Sequence, residues 1–337
     1  MNILAVDTSC DESSVAIISV DEWKLKSDVV RSHIGKMTEY GGVVPEIASR
    51  EHLKGLPSAI SEALTQANLT LKEIDWFVVT SHPGLIGALL VGVGFTKALA
   101  FSENKQFSTV NHIEAHLFSP LLCTLEGKTP PPFPWVALVV SGGHTELFHV
   151  KGIHDFQWLG GTLDDAAGEA FDKVGKILDM PYPAGPIIDK LVREKATETD
   201  RTAYAFPRAK IAPTSFSFSG LKTAVNNQAM KNRPMTEAKK LSLLASCQEA
   251  ILDPLVDKVR LAQKDFPGAA IVVTGGVACN SRLREKLPEA YFPKPSHCTD
   301  NAAMVALLGG LLYKEGKLIH ASWDESASPS WNPDVTP

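Results

Sequence analysis

The chain has no hydrophobic run long enough to cross a bilayer. Its longest apolar stretch, residues 85–95, is punctuated by glycines and falls well short of the ~20 residues a spanning helix requires. No secretory leader is expected either, since residues 3–6 are too short an apolar run for one and Asp7 follows at once. Five cysteines, Cys10, Cys123, Cys247, Cys279 and Cys298, form an odd set with no Cys-x-x-Cys pair. That argues against both a disulfide framework and a cysteine zinc site. Strong charge of one sign is also absent, with −5 over 337 residues. A hydrophobic content of 44% with 21% charge is that of an ordinary globular chain long enough for two domains. Together these absences predict a reduced, cytoplasmic protein without membrane attachment.

The small net charge hides an asymmetry. Residues 173–240 carry thirteen Lys/Arg against six Asp/Glu, a local excess of seven positive charges, so the remainder holds −12. Such a stretch either forms a basic face for an anionic partner or merely solvates helix surfaces.

His112 and His116 lie four apart in Asn111-His112-Ile113-Glu114-Ala115-His116, a spacing that puts both imidazoles on one helical face, where they can grip one metal ion. The zinc-protease motif does not fit, because its Glu must follow the first His directly. Glu114 sits two residues on, roughly 200° around the helix. An HxxxH pair alone is often only a polar helix face, so a third ligand is needed. Asp300, ahead of the apolar run 302–312, is the candidate. It either caps that helix or completes a two-His, one-carboxylate set suited to iron or zinc.

Residues 3–6 read as a buried strand, 7–14 as a polar turn and 15–20 as a returning strand. The pattern recurs with 135–140, the turn 141–146 and 147–150. Helices with apolar spacing follow each hairpin: Ile47, Leu53, Leu56, Ile60 and Leu64, then Ala167, Ala170, Phe171, Val174, Ile177 and Leu178. One α/β unit is therefore expected twice. Three glycine turns follow strand-like runs, at Pro83-Gly84-Leu85-Ile86-Gly87, Ser141-Gly142-Gly143 and Gly275-Gly276 through Asn280. None matches the Walker or GxGxxG patterns, Gly220-Leu221-Lys222-Thr223 included. Their common placement predicts a nucleotide in a crevice. Asp165, Glu169 and Asp172 form an acidic helical stripe, either solvated or accepting ribose hydroxyls. Residues 183–186 are expected to form a stiff turn, with Asp189 beyond it as a second diol acceptor.

Seven segments in order carry a resemblance: Asp7-Thr8-Ser9-Cys10-Asp11-Glu12, Gly41-Gly42-Val43-Val44-Pro45-Glu46-Ile47-Ala48-Ser49-Arg50, His112-Ile113-Glu114-Ala115-His116, Ser141-Gly142-Gly143-His144-Thr145, Asp164-Asp165-Ala166-Ala167-Gly168-Glu169-Ala170-Phe171-Asp172-Lys173, Phe216-Ser217-Phe218-Ser219-Gly220-Leu221-Lys222-Thr223 and Cys298-Thr299-Asp300-Asn301-Ala302-Ala303-Met304. Over residues 1–312 the chain resembles the catalytic members of the universal tRNA threonylcarbamoyladenosine family.

The resemblance implies the two-lobed α/β fold of actin, sugar kinases and heat-shock ATPases, with the ligand between lobes. Residues 1–107 with 303–337 would form the N-terminal lobe, and 108–302 the C-terminal lobe carrying most of the metal and nucleotide site. It also implies transfer of a threonylcarbamoyl group from threonylcarbamoyl-AMP to the N6 amine of the adenosine 3′ of a tRNA anticodon, releasing AMP. Carried over by position, His112, His116 and Asp300 match ligands of one divalent ion, iron or zinc. Val139, Val140, Ser141, Gly142, Gly143, Asp172, Gly185, Asp189 and Asn280 match positions that hold the adenylate, and Asp11 and Glu12 match the acidic loop near the reacting group. Implied partners are tRNA, a smaller paralogous subunit, a P-loop ATPase and the synthase that makes threonylcarbamoyl-AMP. Two departures are visible: Ala184 replaces the first Gly of a Tyr-Pro-Gly-Gly turn, and Asp7 replaces a common Glu. A non-catalytic nucleotide-binding scaffold and a metalloprotease are the rival readings. Residues 322–337, rich in Ser, Pro and Trp, are expected to form an extended tail.

Overall fold

The computed structural model describes residues 1–332. The first unit opens with β1 (Asn2–Asp7), whose last five residues are all buried. Then come β2 (Glu12–Ser19), β3 (Lys24–Ser32), the short α1 (Ile34–Met37) and the 23-residue α2 (Pro45–Ala67). β4 (Trp76–His82), α3 (Ile86–Ser102), β5 (Gln106–Asn111) and α4 (His112–Phe118) complete the first run. The sheet order is β3-β2-β1-β4-β5, with β1 antiparallel to β2 and parallel to β4. The expected hairpin is present with a tighter turn, since Asp7 already pairs with Ser14 in the ladder.

The second unit repeats the plan. It holds β6 (Trp135–Val140), β7 (Thr145–Gly152), β8 (Asp155–Gly161), α5 (Ala167–Ile177), α6 (Ala184–Lys195), α7 (Glu198–Thr202), α8 (Ser219–Lys231), α9 (Glu237–Asp265), β9 (Ala270–Thr274) and α10 (Ser281–Lys286). The order β8-β7-β6-β9 again sets an antiparallel hairpin beside a parallel strand. β6 is buried on both faces, as an apolar run of Trp, Val, Ala and Leu requires of a central strand. α11 (Ala302–Lys314) then returns to the first unit, against β1, β2 and α4.

Compactness divides the chain at 130/131 and 298/299, not at 107/108 and 302/303. Residues 108–130 stay with the first unit because β5 runs straight into α4, every residue of which is buried. Residues 322–332 are irregular and lie along the first unit: Trp323 packs on Phe107 at 4.9 Å, and Ser328 N donates to Ser81 O at 2.9 Å. The rest of the expected tail, 333–337, lies outside the described residues. No helix among the described residues is long and apolar enough to cross a membrane.

Two sequence expectations change on packing. Leu53, placed on the apolar face of α2, is 57% exposed, while Glu51 and His52 are buried beside it. Residues 183–186 do not make a separate turn; Pro183 is the N-cap of α6, which starts at Ala184. The Ala184 methyl is buried over Gly175, where an added Cβ would lie 2.1 Å away. A side chain at 184 is thus accommodated by the lack of one at 175.

Candidate metal and nucleotide sites

Asn111 starts the candidate metal site by capping α4: its Oδ1 accepts from Ile113 N at 2.7 Å and Glu114 N at 3.1 Å. The helix begins at His112, so the two imidazoles sit one turn apart with ring centroids 4.6 Å from each other. Asp300 comes to them from just ahead of α11. It does not cap that helix, because Asn301 does so by accepting from Met304 N at 2.9 Å. Asp300 Oδ1 instead lies 3.0 Å from His116 Nε2 and 3.5 Å from His112 Nε2. All three ligand atoms fall within 4.8 Å of one another. All three residues belong to the first unit.

The surroundings fit a cation. Asp7, at the end of β1, points Oδ2 at His112 Nδ1 across 3.4 Å, and both buried atoms lack any other partner. Against the opposing effect of burial, Asp300 and Asp7 push His112 up to about 10. Asp300 is held well below the usual carboxylate range despite its burial, because both imidazoles face it. Burial, with the nearby Asp300 and Asp11, raises Glu12 to about 10, and burial with Asp11 raises the Cys10 thiol. Asp7, Asp11, Glu12 and Asp300 therefore crowd one place with carboxyl groups. A dication bound by two imidazoles and a carboxylate is the chemistry that relieves such crowding.

In the second unit the glycine turns after β6 and β9 come together, as their parallel pairing Val139↔Thr274 demands. Gly275 has φ +92, and a Cβ there would meet Val140 O at 2.4 Å, so the chain can pass only as glycine. Gly142 and Gly143 are exposed with open space around each Cα. Ser141 closes the turn: its N donates to His144 O at 2.8 Å and its Oγ accepts from His144 N at 3.2 Å. The third glycine turn belongs to the other unit. Gly84 lies in the first unit, where a Cβ would come within 2.5 Å of Ser9 O, so it serves close backbone packing.

The acidic stripe also separates on inspection. Asp165 lies before α5, and Lys173 covers both it and Glu169 at 2.5 and 2.8 Å. Asp172 alone turns towards the next helix, its Oδ1 accepting from Ala184 N at 2.7 Å beside Gly185. Asp189 is buried and accepts from Ser281 Oγ at 2.8 Å and Gln248 Nε2 at 3.1 Å. Gln248 also reaches Asn280, the N-cap of α10, at 3.4 Å. Sequence reasoning missed Gln248, because one buried amide inside a 29-residue helix leaves no spacing signal. It also missed Gly168, whose N donates to Ser141 O at 3.1 Å and whose missing side chain lets α5 abut the turn.

The profile of the tRNA N6-adenosine threonylcarbamoyltransferase family matches residues 24–307. A protein of that name from Syntrophus aciditrophicus is 44% identical over 326 residues, covering 94% of each chain. Another, from Geobacter metallireducens, is 46% identical over 327 residues, or 94% of this chain and 93% of its own. Among solved structures, full-length HypF in its phosphate- and nucleotide-bound form aligns with 94% of this chain and 47% of its own, at a TM-score of 0.61 and 14% identity. At that identity the likeness concerns the fold alone, and it agrees with the duplicated, actin-like α/β plan.

Proposed function

The chain belongs to the tRNA N6-adenosine threonylcarbamoyltransferase family and is a transferase of tRNA modification, and from that premise we propose its reaction in detail. It moves the threonylcarbamoyl group of threonylcarbamoyl-AMP to N6 of adenosine 37, next to the anticodon of tRNAs reading codons that begin with adenine. The observation that carries this reading is the convergence of His112, His116 and Asp300, from segments 184 residues apart, beside an acidic loop. His112, His116 and Asp300 would hold one iron or zinc ion, which supplies a Lewis acid and template for the anhydride.

AMP is a good leaving group, so the protein must mainly position a weakly nucleophilic amine. Asp11 or Glu12 takes the proton from the attacking amine, Glu12 only once positive charge balances the carboxylates around it. On the adenylate side, Val139, Val140, Ser141, Gly142 and Gly143 form the segment that holds the adenylate. Asp172, Gly185, Asp189 and Asn280 surround the nucleoside, the carboxylates accepting from ribose hydroxyls. A smaller paralogous subunit, a P-loop ATPase and a synthase that makes threonylcarbamoyl-AMP complete the system in the cytoplasm.

The test is product analysis of tRNA incubated with this protein, those partners and threonylcarbamoyl-AMP. Threonylcarbamoyladenosine formed with equimolar AMP is the expected result. Binding of an adenylate with no modified nucleoside would favour the scaffold instead. A protease is disfavoured because Glu114 does not adjoin His112.

A further inference from the structure

The acidic loop between β1 and β2 is tied down residue by residue. Thr8 Oγ1 donates to Ala88 O at 2.8 Å, Ser9 O accepts from Leu85 N at 2.9 Å, and Asp11 O accepts from His33 N at 3.0 Å. Cys10 differs, because its carbonyl is met by a side chain, His52 Nε2, at 2.9 Å. His52 projects from α2, and its Nδ1 lies 2.7 Å from Ser13 Oγ. The same Oγ lies 2.9 Å from His33 Nε2. Ser13 and His52 are both fully buried. Gly55, one turn along α2, leaves room for the His33 ring, whose Cε1 would lie 3.4 Å from an added Cβ.

The bond directions follow from the chemistry. A carbonyl only accepts, so His52 Nε2 must carry the hydrogen. Burial pushes both histidines below their ordinary values, which favours neutral rings. His52 Nδ1 then accepts from the Ser13 hydroxyl, and Ser13 Oγ in turn accepts from His33 Nε2–H. Donors and acceptors alternate along the whole relay, from His33 through Ser13 and His52 to Cys10. Among the described residues no side chain of this relay bonds a metal ligand, and its side-chain output is the carbonyl of Cys10, which precedes Asp11 and Glu12, while the backbone N of His33 separately holds Asp11 O.

We propose that His52 is a positioning residue for the transfer step: through the Cys10 carbonyl it aims Asp11 and Glu12, while Ser13 and His33 hold it in the tautomer that can do so. This rests on the transferase reading above. Its effect should fall on kcat, since an acidic loop out of aim leaves substrate contacts intact while the proton acceptor is misplaced, and small misplacements of reacting groups are costly.

Two amide variants test it by atom position. Gln places an N–H near His52 Nε2 and keeps the donor to Cys10. Asn places its amide near His52 Nδ1 and leaves the Cys10 carbonyl unmet. With partners and threonylcarbamoyl-AMP present, His52→Asn should lower kcat about 10- to 100-fold with KM for tRNA and metal content unchanged, while His52→Gln stays within about threefold. Ser13→Ala, a small truncation, should lie between them even if His52→Asn does not fold. Hydrogen exchange gives a readout without activity: amides of residues 8–13 should exchange faster in His52→Asn and Ser13→Ala than in His52→Gln. Equal kcat and equal exchange in the Asn and Gln variants would overturn the proposal. An unmodified parent assay would instead count against the transferase reading, and the exchange data would still decide the tether.

Discussion

At the scale of single residues, the pair Asp7 and His112 carries the first prediction. Their facing atoms, Oδ2 and Nδ1, are buried 3.4 Å apart with no other partner. A histidine that ligates through Nε2 needs its Nδ1–H directed at an acceptor, and Asp7 is in place for that. Asp7→Ala should therefore weaken metal binding about 10- to 100-fold, while His116→Ala and Asp300→Ala abolish it. Competition with a calibrated chelator measures all three, and Asp7→Ala at parental affinity would leave Asp7 without this role. Glu146 supports a second prediction, on pH. Burial raises it from 4.5 to about 7, even though Trp158 Nε1 donates to its Oε2 at 2.7 Å and favours the anion. The folded state thus binds the proton more tightly than the unfolded chain. The resulting stability is complete below pH 4.5 and is lost as pH rises through about 7, a loss of about 3 kcal/mol. Glu146→Gln, which has no proton to lose, should show a flatter thermal midpoint across this window; the same slope as the parent would contradict the assignment.

At the scale of elements, Asn111 links local structure to the site. It closes two otherwise open N–H groups at the start of α4, the helix whose first residue is His112. Asn111→Ala should cost about 1–2 kcal/mol of stability. Because the same first turn sets the aim of the imidazoles, metal affinity should fall with it, whereas loss of Thr236, the cap of α9 in the second unit, should affect stability alone. Denaturant midpoints and chelator competition on both variants separate the two effects. The elements themselves were largely legible: β1, β2, β6 and β7 announce themselves as apolar runs around polar turns, and the His112/His116 spacing fixes a helical face. What stayed hidden was long-range. Asp300 reads equally as a helix cap until Asn301 is seen to hold that place. Gln248 and the pair Ser13 and His52 give no periodic signal, since each is a buried polar group bonded to residues far away in sequence. Leu53 shows the opposite failure, an apolar residue on the expected stripe that the fold leaves in water.

At the scale of the whole molecule, charge decides how a chain with a net −5 can meet a polyanion. The excess of seven positive charges in residues 173–240 is the natural place to look, but not all of it is available. Arg201 is held by Glu249 and Glu198 at 3.3 Å each and is only 10% exposed, and Arg208 is held by Asp253 at 2.5 Å. Both therefore belong to the packing between α9 and its neighbours, and removing them would test folding more than docking. Lys195, Lys231, Arg233 and Lys239 are exposed, and no ion pair holds them among the described residues. Charges free of internal partners can release counterions from a phosphate backbone, and each contact made adds about 0.7–0.9 to the slope of log affinity against log salt. Replacing these four with Ala should weaken tRNA binding and flatten that slope by up to about 3, with adenylate affinity unchanged as the control for folding. The paired charges give the contrast, because Arg208→Ala should alter stability and leave the slope alone. If the quadruple variant keeps the parent's affinity and slope across the salt series, these four make no contact with tRNA, and the positive surface that docks it belongs to another part of the chain or to a partner.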